Sequence, residues 1–131
     1  MKRKLCFVLA TLFVPGSVFA QSAEQATSFD LICDGQAFYS DMKPRSVTHH
    51  YRINLTEMRW CWEKCERTRA IVSATVDRIT FHDTTNDGYR SYVSRIDGSY
   101  SRFNPGRSGT RISDTGTCKA APFSGMPKPI F

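Results

Sequence analysis

The sequence predicts a mainly β domain, a small antiparallel barrel or sandwich stapled by disulfides, and three observations predict it. Several short segments alternate apolar and polar residues with a period of two, and turn residues separate them at close intervals. No stretch of ordinary length carries the 3.6-residue apolar periodicity of a surface helix. Four cysteines, Cys33, Cys61, Cys65 and Cys118, follow the first twenty residues, an even number suited to cross-linking.

Residues 1–20 read as an export signal. Lys2-Arg3-Lys4 is a positive start, Leu5 to Val14 is an apolar run too short to span a bilayer, and Val18-Phe19-Ala20 offers small residues at a cleavage site. Of 131 residues, cleavage after Ala20 leaves 111, the size of one domain, and discards Cys6. It also removes Lys2, Arg3 and Lys4, so the formal charge of +6 falls to +3, from 15 bases and 12 acids. A charge that small disfavours a nucleic-acid partner. No stable membrane insertion is expected after cleavage, and the expected location is the periplasm or the exterior.

The chain then divides into a polar leader at 21–28, a single β domain at 29–120 and a proline-containing tail at 121–131. Phe29, Leu31 and Cys33 alternate with Asp30 and Ile32 in a short strand expected to end at the turn dipeptide Asp34-Gly35. Gln36 to Ser40 is a second short strand before Lys43-Pro44. Val47 to Thr56 alternates most cleanly, with Val47, His49, Tyr51, Ile53 and Leu55 on one face. In residues 56–69 Leu55, Met58, Cys61 or Trp62, and Cys65 fall at helical spacing, and turn and helix both stay open.

Ile71 to Val76 is rich in β-branched residues, and Ile79 and Phe81 continue the alternation up to a turn cluster at Thr84–Gly88. Asp97-Gly98 predicts a two-residue type I′ turn joining Tyr89–Ile96 to Ser99–Phe103. In that register Ile96 faces Ser99, Arg95 faces Tyr100 and Tyr92 faces Phe103. Asn104-Pro105-Gly106 ends the strand, Thr110 to Cys118 adds a last one, and Pro122, Pro127 and Pro129 keep the tail out of a helix.

Four cysteines permit three connectivities. Cys33–Cys118 would join the first strand to the last, which are neighbours in a closed barrel, and Cys61–Cys65 would close a local loop; this pairing is the expected one. The competing chemistry is a soft-metal site for copper or zinc built from Cys61 and Cys65 with His49 and His82. Export favours the disulfides, and no cofactor is expected.

No nucleophile elbow, phosphate loop or paired-carboxylate signature is present, so no catalytic residue is assigned and the balance leans away from an enzyme. A small secreted hydrolase or nuclease is the enzyme class that size allows. His49 lies on the apolar face of its strand, His50 on the polar face, and His82 opposite Ile79 and Phe81, hence outward. Eleven of the 15 mature bases are arginines, whose planar fork suits carboxylate or phosphate, so the partners in view are another protein or an anionic ligand. The arginines at 52, 78, 90, 95, 102 and 111 are expected on an outer face. The candidate binding surface is the hairpin bearing Tyr89, Arg90, Tyr92, Arg95, Tyr100 and Arg102.

The order Phe29-x-Leu31-x-Cys33-Asp34-Gly35, Tyr51-Arg52-Ile53-Asn54-Leu55, Arg59-Trp60-Cys61-x3-Cys65, Ile79-Thr80-Phe81, Ser94-Arg95-x-x-Gly98 and Gly116-Thr117-Cys118 resembles small exported bacterial proteins without an assigned activity. The Cys-x-Gly strand is also similar to that of periplasmic lysozyme inhibitors of the disulfide-bonded barrel kind. The resemblance implies a secreted β domain of binding or inhibitor type and carries over no catalytic residue.

Overall fold

The computed structural model describes residues 26–40, 42–84, 88–106 and 111–127; the expected export signal lies outside these. The described residues form one antiparallel sheet of nine strands curled into a half-barrel: β1 Ser28–Tyr39, β2 Met42–Asn54, β3 Arg59–Trp62, β4 Arg69–Ala70, β5 Ser73–Ala74, β6 Arg78–Asp83, β7 Arg90–Ser94, β8 Ser99–Asn104 and β9 Ile112–Ala121. Their spatial order is β4-β3-β2-β1-β9-β8-β7-β6-β5. Each strand neighbours its sequence neighbour except at two places. The first and last strands pair in the middle of the sheet, and β4 and β5 occupy its two edges.

Only Ile71 and Val72 separate those edges, and they bring them together. The Ile71 amide donates to the Met58 carbonyl beside β3 (2.8 Å), and the Val72 amide to the Thr80 carbonyl of β6 (2.9 Å). Two consecutive amides therefore serve opposite sides of the gap, which is how a chain closes a curled sheet without a further strand pair.

The alternation read from the sequence sets the inner face. Leu31, Cys33, Tyr51, Ile53, Trp60, Ile71, Ile79, Phe81, Val93 and Tyr100 form the buried core. Tyr51 stacks on Phe81 at 5.1 Å between centroids and Trp60 meets Phe81 at 4.8 Å, so aromatic rings from β2, β3 and β6 fill the middle of the lumen. Both expected disulfides are present. Cys33 sits opposite Cys118 in the β1–β9 ladder, and Cys61 bonds Cys65 at the end of β3.

Several expectations are corrected, and the alternative left open at residues 56–69 is resolved. The first strand does not end at Asp34-Gly35: β1 runs on to Tyr39, absorbing the expected second strand. Gly35 faces Gly116 across the seam, and a Cβ on Gly35 would fall on the Thr115 carbonyl and the Tyr100 hydroxyl. The glycine serves a close approach rather than a turn. Lys43-Pro44 likewise stays within β2, at a bulge opposite Phe38 on a stretch that β3 does not reach, where a proline is tolerated.

Residues 56–69 hold no helix: a turn at Leu55–Met58 leads into β3, followed by the disulfide ring, with Met58, Glu63 and Cys65 at positive φ of 51°, 51° and 59°. The β-branched run splits into β4 and β5 around Ile71, leaving Val76 89% exposed.

The β7–β8 hairpin has a four-residue loop, Arg95–Gly98, instead of a type I′ turn. Val93 faces Tyr100, Tyr92 faces Ser101 and Arg90 faces Phe103, two residues away from the expected register. A type I′ turn needs positive φ at both central residues, and of Asp97 and Gly98 only Gly98 has it (72°). Asp97 caps the loop instead, accepting from the Ser99 amide (2.9 Å) and hydroxyl (2.7 Å). Those bonds hold the exposed Asp97 carboxyl down to a pKa of about 2. The shift of two preserves which side chains face inward but dissolves the expected Tyr92–Phe103 and Arg95–Tyr100 pairs. Arg78 lies over Tyr92 instead, at 4.4 Å.

The Cys33–Cys118 bond closes a loop with a sequence separation of 85 residues. On a chain-entropy basis, replacing both cysteines by alanine is expected to lower unfolding free energy by about 4–5 kcal/mol in a denaturant titration. Gly35→Ala is expected to shift the same midpoint downward, because the seam must open to admit the methyl group.

Candidate functional site

The two ends of the lumen differ in chemistry, and strand parity decides which residues each receives. Asp114 shares the inward parity of Cys118 on β9, His49 that of Tyr51 on β2, and Arg102 that of Tyr100 on β8. These four meet inside the end that carries the Cys61–Cys65 ring. Asp114 is fully buried. Its Oδ2 accepts from Arg102 Nη2 (2.7 Å) and His49 Nε2 (2.7 Å), and its Oδ1 accepts from the Tyr100 hydroxyl (2.9 Å). A buried carboxylate is stable only when paired and hydrogen-bonded, and here it has one formal counter-charge and three donors. Burial, helped by the bond to Asp114, pushes the Tyr100 hydroxyl far above the ordinary phenol range, so it remains a donor.

Trp62 covers this network. Its ring lies 5.5 Å from the His49 ring and 5.3 Å from the Arg102 guanidinium carbon, yet the residue is 42% exposed. Beside it an open cleft is lined by Glu63, Lys64, Glu66, Arg67 and Arg69. Glu63 Oε1 stands 3.8 Å from His49 Nδ1, beyond hydrogen-bond reach, so Glu63 stays a rim carboxylate. The arrangement can hold and orient rings; as an acid–base device it is poorly presented, because His49 is 5% exposed and its Nε2 is committed to Asp114.

The six hairpin candidates do not share one surface. Arg90 and Tyr92 lie on the outer face, and Tyr89 stacks on His82 at 4.2 Å between centroids. Arg95 sits in the loop and donates to the Thr75 carbonyl (2.7 Å). Tyr100, 4% exposed, and Arg102 point into the lumen, contrary to the expected outer-face role of Arg102. An aspartate at the parity of an inward cysteine demands inward donors, and these two supply them.

His82 is also corrected. A bulge between Thr80 and His82 places two β6 residues where one was expected, so His82 joins Phe81 on the inner side, 5.3 Å from the Trp60 ring. Of the soft-metal set, Cys61 and Cys65 are joined to each other and so offer no thiolates, and His49 is held by Asp114. No cluster of three or more metal-type ligands occurs among the described residues.

A second network lies on the outer face. Asp30 accepts from the Ser124 hydroxyl (2.5 Å) and amide (3.2 Å) and from His50 Nε2 (2.7 Å), while Arg52 donates to the Gly125 carbonyl (3.2 Å). Tail residues 124–125 are thereby strapped across β1 and β2. Burial works against ionisation of Asp30, but the bonds from Ser124 and His50 outweigh it and hold the carboxyl below its usual range.

Asp114→Ala is expected to cost about 3–5 kcal/mol in denaturant unfolding, since it strands Arg102 inside the lumen. The strap has a defined pH response. A depressed folded pKa adds stability above the unfolded carboxyl value and loses it only as pH falls through the folded value. The Ser124 amide resonance is therefore expected to keep its bound shift down to the ordinary Asp range and to move below it, whereas Asp30→Ala, which removes the acceptor, is expected to release it at neutral pH.

Compared with protein-family models, curated proteins and solved structures, the chain matches none of them.

Proposed function

We propose that this protein is an exported, disulfide-braced binding module of inhibitor type that engages a partner protein through the mouth around Trp62. The exposed Trp62 carries the proposal. A large indole left 42% exposed is an anchor when its neighbours hold it in place, and here Arg102 and His49 support it from within. The Cys61–Cys65 ring fixes the strand end that bears it, which reduces the ordering entropy lost on binding. Lys64, Arg67 and Arg69 alternate with Glu63 and Glu66 around the cleft, a mixed rim that suits a protein surface better than a simple anion. Two disulfides support a working place in an oxidising compartment, and the export signal supplies the route there.

A photo-crosslinking residue at position 62, compared in cells with one at the exposed outer-face Thr117, tests the surface. A discrete adduct is expected at 62 alone, and it is expected to disappear when Glu66→Lys and Arg67→Glu reverse the rim charges. Equal adducts at both positions, or none at 62, would remove the assignment. Intact mass tests the route: the secreted species is expected to begin at Gln21 and to weigh four hydrogens less than its reduced form.

A further inference from the structure

The opposite end of the lumen is apolar. A cavity of about 300 Å³ opens there, walled by Phe29 and Leu31 of β1, Ala120 of β9, Ile79 of β6 and Val93 of β7. That volume lies at the lower end of the range for small-molecule sites, and barrel mouths are among their usual places. Among the described residues one charged side chain reaches the opening, that of Arg95. Its Nη1 donates to the Thr75 carbonyl (2.7 Å), and a guanidinium has five N–H groups, so others remain for a ligand.

Two loops frame this mouth and are tied together by the Arg95 amide, which donates to the Asp77 carbonyl (2.8 Å). Each loop carries a fully presented apolar residue, Val76 at 89% and Ile96 at 80% exposure. Neither contributes to the core or lines the cavity itself.

We infer that this mouth binds a monomeric single-chain amphiphile with an anionic head, its chain in the lumen between β1 and β7 and its carboxylate on Arg95. A recess between facing walls takes a chain, where a flat patch would take a surface. Its one cation selects the head: a neutral hydrocarbon would desolvate the guanidinium without pairing it. The site is separate from the Trp62 mouth and shares no residue with it.

Calorimetric titration of the disulfide-bonded protein with hexanoate, octanoate and decanoate, each below its micellar concentration, tests the inference. Kd is expected to tighten roughly fourfold per added methylene. Arg95→Gln is expected to weaken decanoate roughly tenfold or more while leaving decanol unchanged, and Trp62→Ala to leave both unchanged. Ala120→Trp, at a rim position exposed enough to accept the ring, is expected to block both ligands with the melting temperature retained. The inference fails if wild-type Kd is independent of chain length, if no carboxylate binds at millimolar concentration, or if the protein binds anionic vesicles and no free amphiphile. The first two readings need no variant. Equal decanoate affinity in Arg95→Gln and wild type would overturn the assignment of the head group.

Discussion

Asp114, a carboxylate with no contact with water, constrains more of this molecule than any other residue. An ionised group in that position must be surrounded by donors, and the donors must come from strands that can reach it. Tyr100 and Arg102 are pulled inward from β8, and His49 from β2. For the Tyr100 hydroxyl to reach Asp114, the backbone beside it must be bare, and Gly35 supplies that space. The indole of Trp62 then rests on the outer side of the same cluster. One buried charge thus fixes a tyrosine, an arginine, a histidine, a glycine and a tryptophan that, with Asp114 itself, are scattered over 80 positions of the sequence, Gly35 to Asp114.

The two ends of the lumen follow from where that charge sits. Above the aromatic layer of Tyr51, Trp60 and Phe81, Arg102, His49 and Tyr100 converge on Asp114 and leave a platform under Trp62. Below it Leu31, Ile79 and Val93 line an apolar cavity with Ser94 and Arg95 at its side. The outer face is organised independently again, by Asp30 and the tail it holds.

Much of this architecture was legible in the chain. Period-two alternation identified the inward faces of β1, β2 and β6, and of the three connectivities that four cysteines allow, the one expected from a local loop and adjoining first and last strands is present. What escaped shares one physical origin: glycine and aspartate mean different things at different parities. Asp34-Gly35 and Asp97-Gly98 are the same dipeptide, yet the first is a tight backbone crossing inside a long strand and the second a capped four-residue loop. Local sequence cannot distinguish them, because the deciding contacts come from Thr115 and Tyr100 in one case and from Ser94 and Ser99 in the other. Arg102 was misplaced for a similar reason, since an alternating strand looks alike whether its arginine faces water or a buried partner. The signal that could have found the cluster was present: Asp114 lies four residues before Cys118, hence on the cysteine's side of β9. His82 had no such signal, as a bulge reverses parity without leaving a mark in the residues.

The pairing of β1 with β9 places the earliest and the latest parts of the domain at the centre of one sheet. Of the described strands β9 is made last, and until it arrives β1 lacks one of its two neighbours, Cys33 has no Cys118 and the lumen has no Asp114. Closure of the sheet must wait for β9, because its contacts with β1 span a long sequence distance. Synthesised only as far as β8, the domain is an open sheet with β1 and β8 as unpaired inner edges.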